Sequence, residues 1–131
     1  LNKINLFVEK KRKIVSLYDK LIGDISSVVK PVCRSIHCLP AWHLYQVLID
    51  FESVGLTRRQ VMARLRELGI GTQVHYIPIH KQPYFQRIYG RIRLPGSESF
   101  YKNVVSLPLF TEMSDDDVKY VVSNLEKTLI V

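Results

Sequence analysis

The segment "LTRRQVMARLRELGIG", residues 56–71, constrains the fold most, because its residues specify both ends of a helix. Thr57 followed three residues later by Gln60 is the capping-box pattern that begins a helix. Gly69 supplies the left-handed turn that ends one, since other residues resist that conformation. We therefore predict a helix here, after which Ile70 folds back on the last turn. Its buried face is predicted to contain Val61, Met62, Leu65 and Leu68.

Two longer amphipathic patterns lie at the ends of the chain. Residues 1–22 repeat apolar side chains at helical spacing, and Gly23 is a reasonable stop. The last helix is predicted to begin after Ser114, with Asp115–Asp117 in the first turn, where the helix dipole favours negative charge. Its core stripe is predicted to be Val118, Val121, Val122, Leu125 and Leu129. Shorter helices are expected over residues 81–90, with a proline in the first turn, and over 97–105.

Three short segments have the composition of strands: residues 41–50, 72–76 and 105–110. Proline ends the second at Pro78 and interrupts the third, because proline cannot donate to a ladder. Residues 24–40 are expected to be irregular or extended. Three short strands and several helices predict an α/β fold of the α+β kind, with a small, mainly antiparallel sheet packed by helices on one face.

Size and charge bound the functional classes. The 131 residues fit one domain with a real core, and no apolar run approaches the ~20 residues that span a bilayer. The first residues do not form a signal peptide, so we expect a cytoplasmic protein with no membrane partner. The net charge of +7 would suit an anionic partner, but the basic run Lys10–Lys13 lies within a helix, where a charged outer face is the usual explanation.

Cys33 and Cys38 lie close to His37 and His43. Their spacing matches no usual zinc pattern, and two cysteines do not make a disulfide framework, although one bridge is conceivable. We interpret them as reduced cysteines that act as small hydrophobes and expect no metal.

Residues 75–84 concentrate hydrogen-bonding rings on a backbone stiffened by two prolines. The candidate binding residues are His75, Tyr76, His80 and Tyr84. On a strand, His75 would point with Gln73 to one face and Tyr76 to the other. Such a platform suits recognition of a sugar or another polar ligand, because proline limits the entropy cost of ordering it.

The alternative for each ring is a buried or half-buried residue whose polar atoms are satisfied by the backbone. His75 or His80 could also act as a general base, but no serine or cysteine nucleophile is paired with either. We therefore name no catalytic residue.

Two long motifs, residues 66–86 and 104–125, resemble the C-terminal segment of the DegT/StrS family of sugar aminotransferases. The first contains Gly69-Ile70, His75-Tyr76 and Pro83-Tyr84, and the second contains "SLPL" and a final acid-opened helix. The opening helix, with "EKKRKIVSLYDKL", is similar to the family's interdomain helix. Among subgroups, the ring-rich stretch most resembles transaminases that make 4-amino sugars on UDP, as in pseudaminic-acid synthesis.

The resemblance implies the small domain of an aspartate-aminotransferase fold, with an interdomain helix at 1–23 and the C-terminal small domain at 24–131. It implies that pyridoxal phosphate is held by an N-terminal large domain, which carries the Schiff-base lysine and is absent from this sequence. The parent enzyme would be a homodimer acting on a nucleotide sugar. His75, Tyr76, His80 and Tyr84 would bind substrate near its entrance. Lys81 sits in the wrong context to be the Schiff-base lysine, so this chain is expected to bind no cofactor tightly and to be inactive alone.

Two other classes stay open. One is a small basic nucleic-acid-binding module, against which stand the lack of a recognised motif and the separation of the basic helix from the rings. The other is a protein-interaction module with no ligand. On balance we expect no nucleic-acid partner.

Overall fold

The computed structural model describes residues 2–25, 27–35 and 37–130. Within these ranges the chain forms six α-helices, three strands and one 3-10 turn. The helices are α1 (Ile4–Gly23), α2 (Phe51–Val54), α3 (Arg58–Glu67), α4 (Pro83–Tyr89), α5 (Pro95–Asn103) and α6 (Asp115–Leu129). The strands are β1 (Val29–Pro31), β2 (Tyr45–Ile49) and β3 (Val104–Leu107), and the 3-10 turn covers Ile79–Lys81.

The sheet is small and antiparallel, in the order β1-β2-β3. Val47, in the middle of β2, lies opposite Pro31 on one side and Val105 on the other. This arrangement confirms the predicted fold class.

One predicted strand is wrong. Residues 72–76 form no strand; only Gln73 makes a single bridge, to Ser106 at the free edge of β3. The next pair of the ladder would need the Val104 amide, which instead donates to the Phe100 carbonyl at the end of α5, so the ladder ends after one pair. The third strand is instead β1, in a stretch expected to be irregular or extended, where three residues are too few to show a period.

The core lies between one face of the sheet and the helices α1, α3 and α6. Alternate residues of β2 are fully buried there, and Tyr45 stacks on Tyr18 of α1 with ring centroids 4.5 Å apart. Burial raises the pKa of both phenols above the ordinary value. Each hydroxyl keeps an acceptor: Tyr18 donates to the Pro108 carbonyl and Tyr45 to the Asp19 carboxylate.

The helix ends follow the sequence closely. Thr57 and Gln60 form the predicted capping box, and Gly69 has a φ of +76°. The Ile70 amide donates to the Leu65 carbonyl at 2.9 Å, which buries Ile70 against the last turn.

The predicted buried face of α3 is only half right. Val61 and Leu65 are buried, but Met62 is half-buried and Leu68 is 40% exposed. Leu68 lies beyond the last helical residue, Glu67, so it no longer follows the helical face.

The other predicted helices are present in the structure, and the bounds of some differ from the prediction. The predicted core stripe of α6 is buried throughout. Helix α4 begins at Pro83, two residues after the predicted start, and keeps the proline in its first turn as predicted. Helix α5 begins at Pro95, earlier than expected, because proline suits the first helical position.

Helix α1 is unevenly buried. Its second half contributes Ile14, Val15, Tyr18 and Ile22 to the core, whereas the apolar side chains of its first turns are exposed. These exposed side chains are Ile4, Leu6 and Phe7. The predicted start of this helix at residue 1 lies outside the described residues. No helix of the described chain has the length and apolarity to cross a membrane.

The N-terminal cap of α6 provides a test of local stability. Ser114 accepts a hydrogen bond from the Asp117 amide, and the Asp117 carboxylate accepts one from the Ser114 amide at 2.8 Å. We expect Ser114→Ala to lower the free energy of unfolding by about 1 kcal/mol, measured by urea denaturation. Ser99→Ala, an exposed serine within α5, is the control and should change little. Equal losses in the two variants would contradict the capping role.

Candidate functional site

Ser106 of β3 fastens the ring-rich stretch to the sheet. Its amide donates to the Gln73 carbonyl at 2.8 Å, and the Gln73 amide donates to the Ser106 carbonyl at 3.1 Å. Its hydroxyl oxygen lies 2.9 Å from Nδ1 of His75. The Gln46 side chain, opposite Ser106 on β2, donates to the His75 carbonyl at 3.2 Å. His75 is therefore held through both its ring and its backbone.

Tyr76 is presented outward from this fixed residue. The peptide bond between His75 and Tyr76 is cis, and the two rings meet edge to face with centroids 4.9 Å apart. Tyr76 is 71% exposed, and the neighbouring Ile77 and Ile79 are exposed as well. The segment thus shows an aromatic ring and two aliphatic side chains to its surroundings.

His80 points inward. It is only 8% exposed, and its Nε2 lies 3.2 Å from Oε1 of Glu98. The same carboxylate accepts the Leu94 amide, and Lys81 lies 3.7 Å from its other oxygen. The Leu94 hydrogen bond, with His80 and Lys81 adding to it, lowers the pKa of Glu98. His80 therefore ties the 3-10 turn to the start of α5.

Tyr84 lies on α4, where it is 57% exposed and its ring meets Phe85 edge to face. On this side of the molecule lies a largely apolar cavity of about 470 Å³, with His80 in its wall. Its apolar lining includes Ile79, Phe85, Tyr89, Ile92 and Leu94.

The four candidate residues divide into two kinds. Tyr76 and Tyr84 are exposed and available to a ligand. His75 and His80 each have a ring nitrogen within hydrogen-bond distance of another side chain, that of Ser106 and Glu98 respectively. The expected alternation of His75 and Tyr76 on a strand does not apply, because no strand forms there. Their role in binding substrate stays a prediction.

Sequence reasoning missed the residues that hold the rings in place: Gln46, Glu98 and the side chain of Ser106. A lone serine in the apolar run "VVSLPL" was a usable signal, since a buried polar residue needs a partner. Cys33 and Cys38 are both exposed free thiols, so the expectation that they pack as small hydrophobes is wrong.

Known proteins resemble this chain in sequence and in fold. The model of the DegT/DnrJ/EryC1/StrS aminotransferase family matches residues 1–126. The chain belongs to this family. SpsC of Bacillus subtilis, a spore coat polysaccharide biosynthesis protein, is 34% identical over 125 residues, which cover 93% of this chain and 32% of SpsC.

Solved structures of aminotransferases share the fold. Helicobacter pylori PseC, an aminotransferase of pseudaminic-acid biosynthesis, superposes with a TM-score of 0.89 at 24% identity, covering 98% of this chain and 34% of PseC. DesI, solved in the presence of its TDP-sugar product, gives a TM-score of 0.86 at 25% identity and covers 98% of this chain and 33% of DesI. The chain therefore spans about a third of the length of these DegT/DnrJ/EryC1/StrS proteins.

The DegT/DnrJ/EryC1/StrS aminotransferases depend on pyridoxal phosphate. A Schiff-base lysine needs a desolvated position. Every lysine in the part of the chain that the structure describes is exposed or half-buried, and Lys81 lies beside Glu98. These residues do not fit covalent attachment of the cofactor.

The Glu98 carboxylate gives a pH-dependent test. Its pKa is lowered on folding, so its stabilising effect is fully present above the pKa of an unfolded glutamate and is lost as the pH falls through the folded pKa. Glu98→Gln should therefore have a lower free energy of unfolding than wild type at about pH 6. This difference in free energy, the gap, should narrow towards about pH 3, because the two pH values lie on either side of the pKa of an unfolded glutamate, about 4.3.

Chemical denaturation of both proteins at the two pH values measures this gap. Glu112→Gln, which removes a surface carboxylate facing Lys10, is the matched control. A gap that stays constant with pH, or that narrows equally in the control, would contradict the stabilising role of the ionised Glu98 carboxylate.

Proposed function

We propose that this chain acts as the C-terminal small domain of a pyridoxal-phosphate-dependent aminotransferase that works on nucleotide sugars. Residues 1–23 would form the interdomain helix and 24–131 the small domain. Membership of the family supports the reaction class, and the TDP-sugar product of DesI and the polysaccharide role of SpsC support a sugar substrate.

The observation that carries this proposal is the contrast between a fixed His75 and an exposed Tyr76. Ser106 and Gln46 hold His75 in place, so the neighbouring Tyr76 is already positioned before a ligand binds. Preorganised polar rings suit the hydroxyl and phosphate groups of a nucleotide sugar.

In this proposal the chain binds and orients, and the chemistry lies elsewhere. Pyridoxal phosphate, bound to the large domain, supplies the transfer of the amino group. The hydroxyls of Tyr76 and Tyr84 donate to oxygen atoms of the substrate, while His75 and His80 keep the segment in place. Contacts of this kind raise the rate by holding the reacting carbon in position.

The exposed start of α1 supports a contact with further protein. Ile4, Leu6 and Phe7 are exposed apolar side chains on a helix whose second half is buried, and Ile4 and Phe7, three residues apart, lie on the same face. Apolar groups clustered at a surface favour association. We propose that the large domain of the longer enzyme covers them, in a homodimer located in the cytoplasm.

The finer substrate assignment rests on the ring-rich stretch. We propose a UDP-linked 4-amino sugar as the product, with glutamate as the amino donor. The likeness to PseC supports the fold on which this assignment depends.

An aminotransferase assay on the complete gene product that carries this chain tests the proposal. With glutamate and a UDP-linked keto sugar, Tyr76→Phe and Tyr84→Phe should each raise KM about threefold to tenfold, because each removes one hydrogen bond. Tyr120→Phe is the matched control, since its hydroxyl bonds the Leu68 carbonyl instead. Absence of transfer to any nucleotide sugar, or an equal effect of Tyr120→Phe, would contradict the proposal.

A gel-shift experiment tests the main alternative. Binding of single-stranded RNA that weakens steeply with added salt would favour the nucleic-acid-binding module suggested by the net charge of +7.

A further inference from the structure

A second concave surface lies between α3 and the segment that leaves it. This groove has a volume of about 700 Å³, and its lining is more polar than that of the cavity beside His80. Its lining comprises Arg58, Arg59, Met62, Ala63, Arg66, Glu67, Gly71, Thr72 and Gln73. None of the four ring residues belongs to it, so the proposed nucleotide-sugar surface leaves the groove without a role.

The arginines are arranged by helical geometry. Arg59, Ala63 and Arg66 are four and seven residues apart along α3, so they share one face of the helix. The two arginines are separated by about 10 Å along the helix axis, at 1.5 Å per residue. Ala63 between them has a small side chain, which leaves the space that the long guanidinium side chains flank.

A third arginine is held in place. Arg58 donates to the Tyr101 carbonyl, and its guanidinium lies 4.7 Å from the centre of the Tyr101 ring. It therefore brings a fixed positive charge to the groove at little further entropy cost. Arg59 and Arg66 have exposed side chains that are free to close on a ligand.

The charge of the groove is not neutralised internally. Glu67 is the single acidic residue among the lining residues, against three arginines. Among the described residues, no carboxylate lies within ion-pair distance of any of the three.

The opposite wall can approach a ligand closely. At Gly71 the backbone faces open space, with no atom within 4 Å of the position that a side chain would take. Thr72 adds a hydroxyl beside it. The groove thus combines a hydroxyl with guanidinium groups, and both are hydrogen-bond donors to phosphate oxygens.

We propose that this groove binds a small polyanion of the organic-phosphate class that carries two phosphate groups. Arg59 and Arg66 each pair with one phosphate group, and Arg58 adds its fixed charge. The Thr72 hydroxyl donates a hydrogen bond to the oxygen that bridges the two phosphate groups. The guanidinium fork matches two phosphate oxygens at once, which an ammonium group cannot do. The site uses different residues from the proposed nucleotide-sugar surface and would bind independently of it.

Isothermal titration calorimetry of the full chain with inorganic pyrophosphate and with inorganic phosphate, at low salt, tests this site. Wild type should bind pyrophosphate saturably, more tightly than phosphate, and Arg59→Gln/Arg66→Gln should weaken pyrophosphate binding about tenfold or more. Arg91→Gln/Arg93→Gln, which removes the same charge at exposed positions outside the groove, is the matched control and should bind as wild type does.

Four outcomes would overturn the proposal: no saturable binding by wild type, pyrophosphate bound no more tightly than phosphate, equal weakening in the two double variants, or binding confined to long single-stranded RNA. Circular dichroism of each variant establishes that it is folded before titration. Because Tyr76 and Tyr84 are untouched, failure of pyrophosphate binding leaves the aminotransferase assay to judge the proposed function separately.

Discussion

The pairing of Ser106 with the segment after α3 is the interaction on which the candidate site depends. Ser106 sits on the last strand of a three-stranded sheet, and its outer backbone groups would otherwise be unpaired at a free edge. The Gln73 backbone forms hydrogen bonds with both of these groups, and the serine hydroxyl lies 2.9 Å from Nδ1 of the His75 ring. One buried residue thereby converts a sheet edge into the support for an exposed aromatic ring.

The support is rigid because the sheet behind it is well packed. The stacked rings of Tyr18 and Tyr45 join α1 to β2, and Asp19 next to Tyr18 accepts from both Tyr45 and Arg34. Arg34 also lies over the Trp42 ring at 4.3 Å, which fixes the chain between β1 and β2. Burial of aromatic surface therefore joins α1 to β2, and the charged hydrogen-bond cluster around Asp19 ties the chain between β1 and β2 to them.

What the sequence could predict was local, and what it could not was long-range. The ends of α3 and α6 followed from Thr57, Gly69 and Ser114, because caps depend on residues a few positions apart. Strand β1 and the single bridge at Gln73 depend on which distant backbone lies alongside, and no local pattern encodes that. The same limit hid Gln46 and Glu98, whose partners lie 29 and 18 residues away. The sequence shows that the rings are present. It does not show which of them are exposed and which contact other side chains.

Amide hydrogen exchange at Gln73 and Ser106 tests most directly whether the ring stretch is fastened to the sheet. The two amides donate to each other's carbonyls, so we expect both to exchange as slowly as the paired amides of β2 and β3. Exchange of both at the rate of an unstructured chain, while β2 and β3 stay protected, would show that the stretch is not anchored and would contradict the supporting role of Ser106.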